Sequence, residues 1–133
     1  MVQTHGRARR LKTGKIIKSA RDKKKRELGR NAIETKIGVE RKKIIRTKGG
    51  NSKTKLFSMD FVNVVDPKSK KIQKVSIKAV EINHASIDFS RRSIITKGAI
   101  LQTELGYVRV TSRPGQDGLV NGTIIDYTSE QKK

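Results

Sequence analysis

The side chains of this chain with the clearest chemistry are cations. Arg7, Arg9, Arg10, Lys12, Lys15, Lys18, Arg21, Lys23, Lys24, Lys25 and Arg26 follow one another over about twenty residues, with Asp22 as the one acid among them. A solvated surface mixes both signs, whereas a one-sided run raises a positive potential that a polyanion relieves. Residues 1–55 hold 20 Lys and Arg against 4 Asp and Glu and no aromatic residue, which leaves 12 against 8 for the rest of the 133-residue chain. The net charge of +20 selects nucleic acid or an anionic membrane surface as partner, with acidic proteins a weaker third.

Other chemistries find little support. His5 and His84 stand far apart with no carboxylate cluster beside either, so no metal site is expected, and with no cysteine there is neither a disulfide framework nor a thiol nucleophile. Asp60, Asp66, Glu81, Asp88, Glu104, Asp117 and Asp126 are scattered without the pairing that acid and base catalysis needs. Thr13-Gly14-Lys15 fails as a phosphate loop, since Arg9 stands where the first Gly is required and Ile16 where Ser or Thr is. Asn121-Gly122-Thr123 reads as a chance match to the glycosylation pattern. No enzyme, cofactor or small-molecule substrate is expected. Met1 to Leu11 is basic, but no apolar run follows it, so neither a signal peptide nor a membrane span is expected, and the basic stretch outruns a transit peptide.

The elements that must position the cations fall into two regimes. Residues 4–34 show no sustained period and too few apolar residues for a core, so this extension is expected to be disordered when free. Ser19 to Gly29 carries the capping signals of a short helix, opposed by repulsion among Lys23, Lys24, Lys25 and Arg26. From Lys42 the composition turns to β-branched runs bounded by Gly, Asn, Asp or Pro. Lys43–Lys48 and Lys53–Met59 around Gly49-Gly50-Asn51 predict one hairpin, and Phe61–Val65 and Ile72–Ile82 around Asp66–Lys71 a second. A loop is expected at Asn83–Arg92, then strands at Ser93–Thr96, Ala99–Thr103, Tyr107–Thr111 and Leu119–Tyr127, the last after the dense turn Arg113–Gly118. About six to seven short strands without intervening helices favour an all-β fold, a small closed or nearly closed β-barrel with a disordered basic N-terminal extension. A two-sheet sandwich is the alternative.

The aromatic residues, Phe57, Phe61, Phe89, Tyr107 and Tyr127, all follow the basic stretch and are expected to fill the core. With no stacking platform among the cations, and no helix-turn-helix or zinc-finger pattern, binding should run through phosphates and shape. Folded RNA, which crowds phosphates from several helices, suits a flexible basic arm best.

Several segments in one order carry a family likeness. Arg26-Glu27-Leu28-Gly29-Arg30, Thr35-Lys36-Ile37-Gly38, Ile45-Arg46-Thr47-Lys48-Gly49-Gly50-Asn51, Ile95-Thr96-Lys97-Gly98-Ala99-Ile100, Thr103-Glu104-Leu105-Gly106 and Val110 to Gly118 closely resemble the eight-e family of small-subunit ribosomal proteins, in its short archaeal form. The likeness runs from about Gly6 to Ile125. It implies a non-catalytic ribosomal RNA-binding protein with a β-barrel body and a basic extension laid into RNA. It also implies contacts by Arg7, Arg9, Arg10, Lys12, Arg26, Arg30, Arg46, Lys48, Asn51 and Arg113. Arg26 stands where the family often has Tyr, and Lys15 where it has a second Gly.

The expectation is therefore a structural constituent of the small ribosomal subunit, cytoplasmic in the ribosome and monomeric when free. Its partners would be small-subunit ribosomal RNA and neighbouring ribosomal proteins, with no membrane. Residues 1–34 form the RNA-binding extension, 35–127 the body and 128–133 a polar tail. Candidate RNA contacts are the ten residues above together with Lys15, Arg21, Lys23, Lys24, Lys25 and Arg41. Charge alone would equally suit a chromatin-type packaging protein.

Overall fold

A computed structural model describes Gln3 and residues 6–126, and the chain divides after Ala32 into two compact units. His5, Tyr127 and the tail at 128–133 lie outside the described residues.

In the first unit the backbone bonds are mostly local, the exception being the Gly29 amide, which donates to the Gln3 carbonyl at 2.9 Å. The Ile17 amide donates to the Arg9 carbonyl at 2.8 Å and the Leu11 amide to that of Lys15 at 3.0 Å, making a tight reversal whose tip is Gly14 at φ 84°. A single glycine meets that demand, so Lys15 can occupy the next position. The capping signals of Ser19–Gly29 do not yield a helix of that length. Only Lys25–Glu27 makes one 3₁₀ turn, as expected where four successive cations oppose a compact backbone. No described residue before Ile33 is buried.

The second unit is all strand apart from short turns. Its strands are β1 (Thr35–Ile37), β2 (Arg41–Arg46), β3 (Ser52–Met59), β4 (Phe61–Val65), β5 (Ile72–Ile82), β6 (Ile94–Ile95), β7 (Ile100–Thr103), β8 (Gly106–Val110) and β9 (Asn121–Ile124). The strands β4-β5-β7-β8-β9 form a closed barrel, the expected fold class, with β9 returning parallel to β4. The first hairpin does not enter it: β2 and β3 join β1 and β6 in a four-stranded sheet of order β2-β3-β1-β6. The barrel is already closed by β4 and β9, and the inner edge of β3 is taken by β1, parallel to it with Lys36 opposite Ser58.

Alternation explains the core. Val62 and Val64 of β4 and Val108 and Val110 of β8 are buried while their neighbours face outward. On β5 the buried set runs Val75, Ile77 and then Val80, because bulges between Ile77 and Ala79 and between Val80 and Ile82 shift the phase. Leu56, Met59, Ile95, Ala99, Leu101 and Val120 complete the core. This core is aliphatic. Phe57, Phe61, Phe89 and Tyr107 are each only half-buried, so the described aromatic residues lie at its rim.

Two segments expected as loop or turn are single helical turns. Asn83–Arg92 contains α1 (Ile87–Arg91), capped by the Ser86 hydroxyl, which accepts from the Asp88 amide. Arg113–Gly118 contains α2 (Pro114–Asp117), opened by a proline and ended by Gly118 at φ 72°. The buried Asn83 fixes the first of these: its Nδ2 donates to the Ile94 carbonyl at 2.9 Å, and its Oδ1 accepts from the Thr96 hydroxyl at 2.8 Å. Among the described residues no helix is long and apolar enough to cross a membrane.

Barrel closure sets a steric limit at Gly122. A Cβ there would lie 2.4 Å from Val108 Cγ1 and 2.9 Å from the Arg109 carbonyl oxygen, and the latter is backbone that cannot swing aside. Gly122→Ala should destabilise the body by about 1–3 kcal/mol, a fall in Tm of at least about 5 °C in thermal unfolding. Gly6→Ala, where a Cβ meets nothing within 4 Å, should leave Tm unchanged.

Candidate nucleic-acid interface

The β2–β3 hairpin gathers cations on an exposed sheet edge. In its antiparallel register Lys43 lies opposite Lys55, Ile45 opposite Lys53 and Arg46 opposite Ser52. Lys43 is exposed and Lys55 half-buried, and directly opposed like charges destabilise a strand pair. At the tip the Thr47 amide donates to the Asn51 carbonyl at 2.6 Å, and Gly49 and Gly50, both at φ 78°, supply the left-handed backbone. Asn51 Nδ2 donates to the Lys48 carbonyl at 3.4 Å, so this side chain helps hold the turn that carries Lys48. The Arg41 guanidinium sits 5.8 Å from the Phe57 ring centroid, and Lys74 Nζ lies 3.3 Å from that of Phe61. The two rings thus support cations at the rim.

Three of the four acids of the basic half are already engaged. Glu27 pairs with Arg21 at 2.6 Å, Glu40 with Lys42, and Glu34 with Arg92, which also meets Asp88 at 3.4 Å. Arg21 is thereby neutralised within its own unit. Arg41, Lys43, Arg46, Lys48 and Lys55 have no carboxylate within ion-pair distance among the described residues. In the first unit Arg10 donates to the Gly14 carbonyl at 2.9 Å, bracing the reversal. Arg7, Arg9, Lys12, Lys15, Lys23, Lys24, Lys25, Arg26 and Arg30 are exposed around it, with no ion-pair partner among the described residues.

Arg113 is placed by packing of α2 on the hairpin. Gly118 lies against Thr54, where a Cβ would come within 2.5 Å of Thr54 Cγ2, and Lys53 Nζ donates to Gln116 Oε1 at 3.0 Å. The Asp117 carboxylate accepts the Arg113 amide at 2.8 Å, fixing the backbone of Arg113 while its side chain stays exposed. The structure therefore brings Arg46, Lys48, Asn51 and Arg113 onto one body. It adds Lys43, Lys53, Lys55 and Lys97, which motif reasoning passed over. The alternation of Lys43, Ile45 and the facing Lys53 and Lys55 was the available signal. No group of three or more His, Asp or Glu among the described residues could hold a metal.

A small all-β body bearing a cationic hairpin, joined to a basic extension, defines a class of basic β-barrel proteins. Within it, the chain belongs to the family Ribosomal protein S8e, whose profile matches residues 4–125. It is 48% identical over 122 residues to the small ribosomal subunit protein eS8 of Methanococcus aeolicus, covering 91% of this chain and 95% of that one. With the eS8 of Nanoarchaeum equitans it shares 48% identity over 120 residues, 90% of this chain and 94% of the relative. The eS8 of Methanocorpusculum labreanum is 45% identical over 121 residues, 91% and 97% of the two chains.

The ion pair in the first unit has a pH signature. The hydrogen bond from Arg21, followed by that from the Lys24 amide, holds the Glu27 carboxyl below the usual carboxylate range, and the same pair raises Arg21. Because the carboxyl is depressed, the contact is fully formed above the ordinary Glu pKa and is lost as pH falls through the lowered value. An NMR titration of Glu27 should give a midpoint below that of a free Glu, and Arg21→Ala should return it upward. The opposed lysines predict the reverse of ordinary surface mutagenesis: Lys43→Glu should stabilise the free body by about 0.2–1 kcal/mol in thermal unfolding.

Proposed function

We propose that this chain is a structural constituent of the small ribosomal subunit that binds ribosomal RNA through its phosphates. The observation that carries the reading is electrostatic. Glu27, Glu40 and Glu34, three of the four acids of the basic half, are engaged by Arg21, Lys42 and Arg92, which leaves the hairpin and the extension with an excess of cations that have no ion-pair partner among the described residues. Membership of the family and the names of its relatives supply the setting. The protein acts in the cytoplasm within the ribosome, beside RNA and neighbouring ribosomal proteins, and is a monomer when free. It works by neutralising phosphates where RNA segments meet, with the barrel fixing the direction of the hairpin, and it catalyses nothing.

Phosphate recognition predicts binding to protein-free small-subunit ribosomal RNA that weakens steeply with salt. The slope of log K against log salt should fall by about 0.7–0.9 for each phosphate neutralised. A flat dependence overturns the reading, and displacement by duplex DNA at equal phosphate concentration would favour general nucleic-acid packaging instead. Deletion of residues 1–30 should remove most of the affinity while leaving cooperative unfolding of the body intact, since none of the described residues of that segment is buried. Lys43→Glu should weaken RNA binding while raising Tm, separating recognition from folding.

A further inference from the structure

Two clefts on the body share one lysine. The larger, of about 520 Å³, is lined by Lys97, Arg109, Thr111 and Thr123 with adjoining backbone. The smaller, of about 150 Å³, is lined by Lys97 and Arg113 beside Thr96 and the start of α2. We propose that Arg109, Lys97 and Arg113 form a second phosphate-binding track, which takes successive phosphates of a single RNA strand across the barrel wall. The proposal rests on the RNA-binding reading and extends it from the hairpin end at Arg113 along the barrel wall to Arg109.

The track is built rather than incidental. Lys97 stands between two fixed points. On one side the Thr96 hydroxyl donates to the buried Asn83 at 2.8 Å, and on the other the Gly98 amide, in a turn at φ 86°, donates to the Val110 carbonyl at 2.8 Å. Its ammonium, a compact charge with three donors, can serve phosphates on either side. Arg109 projects from β8, its cross-strand neighbour on β9 being Thr123, so a guanidinium and a hydroxyl share one face of the wall. Arg113 is held at the far end by the bond from its amide to Asp117.

The electrostatics select the ligand. Neither cleft is lined by a carboxylate, and none of the three cations makes an ion pair among the described residues. No aromatic ring lines either cleft, so the track offers nothing on which a base could stack. Cations and hydroxyls in a row without a stacking platform suit a sugar-phosphate backbone read by charge and shape.

The test uses the full chain and protein-free small-subunit ribosomal RNA from an archaeal relative, with affinity measured across a salt series. Lys97→Gln with Arg109→Gln should lower the magnitude of the salt slope by about 2 and weaken binding throughout the range. A control of equal charge loss, Lys78→Gln with Arg91→Gln, exposed positions on β5 and α1, should keep the wild-type slope. Lys97→Arg with Arg109→Lys preserves charge and should retain the slope, a readout that stands even if the glutamine variant unfolds. A wild-type slope in the glutamine variant, shown folded by circular dichroism, overturns the track but leaves the RNA-binding reading in place. Equal losses in the site and control variants also overturn it, since bulk charge would then account for both. A flat salt dependence in the wild type overturns the RNA-binding reading and the track together.

Discussion

The parallel pairing of β4 with β9 is the constraint on which the body depends. It joins strands nearly sixty residues apart, setting Asn63 opposite Asn121 and linking their side chains by a 3.0 Å hydrogen bond. Once β9 lies there, β8 and β9 must approach so closely that Gly122 is the only kind of residue that fits between Val108 and the Arg109 carbonyl. The chain entering β9 is then also positioned. Gly118 is brought against Thr54 of β3, and α2 with it, so closure of the barrel fixes the end of the hairpin sheet as well. Pairings of such sequence separation carry a large loop-closure cost, which the shared aliphatic core from Leu56 to Val120 offsets.

Charge and packing are kept apart in this molecule. The core side chains are uncharged, and the cations sit on an edge strand, a wall and an extension that bury little. Opposed lysines at 43 and 55 cost the free body a small amount of stability that an aliphatic interior can absorb. Edge strands rich in lysine also resist pairing with other edges, so the arrangement protects β2 while it remains uncovered.

Local features were readable from the sequence, and non-local ones were not. The strands β4 and β5 had their ends legible because Asp66-Pro67 dictates the turn: the Asp66 carboxylate accepts from the Lys68 amide at 2.9 Å and the Ser69 hydroxyl at 2.8 Å. The strand β1 is three residues long and parallel to β3, so it left no alternation to read. That the first hairpin would form its own sheet depends on β1 and on closure at β9, both distant in sequence. α1 is too short to show helical periodicity. Among the cations, one-sided charge was evident from composition. The engagement of Glu34 by Arg92, 58 residues away, was not, and neither was the convergence of Lys97, Arg109 and Arg113.

The aromatic-free interior has an optical consequence. The chain has no tryptophan and two tyrosines, and the described rings stand at the rim, two of them under cations. Collapse of the core around Leu56, Met59 and Leu101 therefore touches the described aromatic residues at its margin, where Phe61 packs against it. Near-ultraviolet absorption and fluorescence from the described rings report on the rim of the body, while its aliphatic centre is followed through the amide backbone.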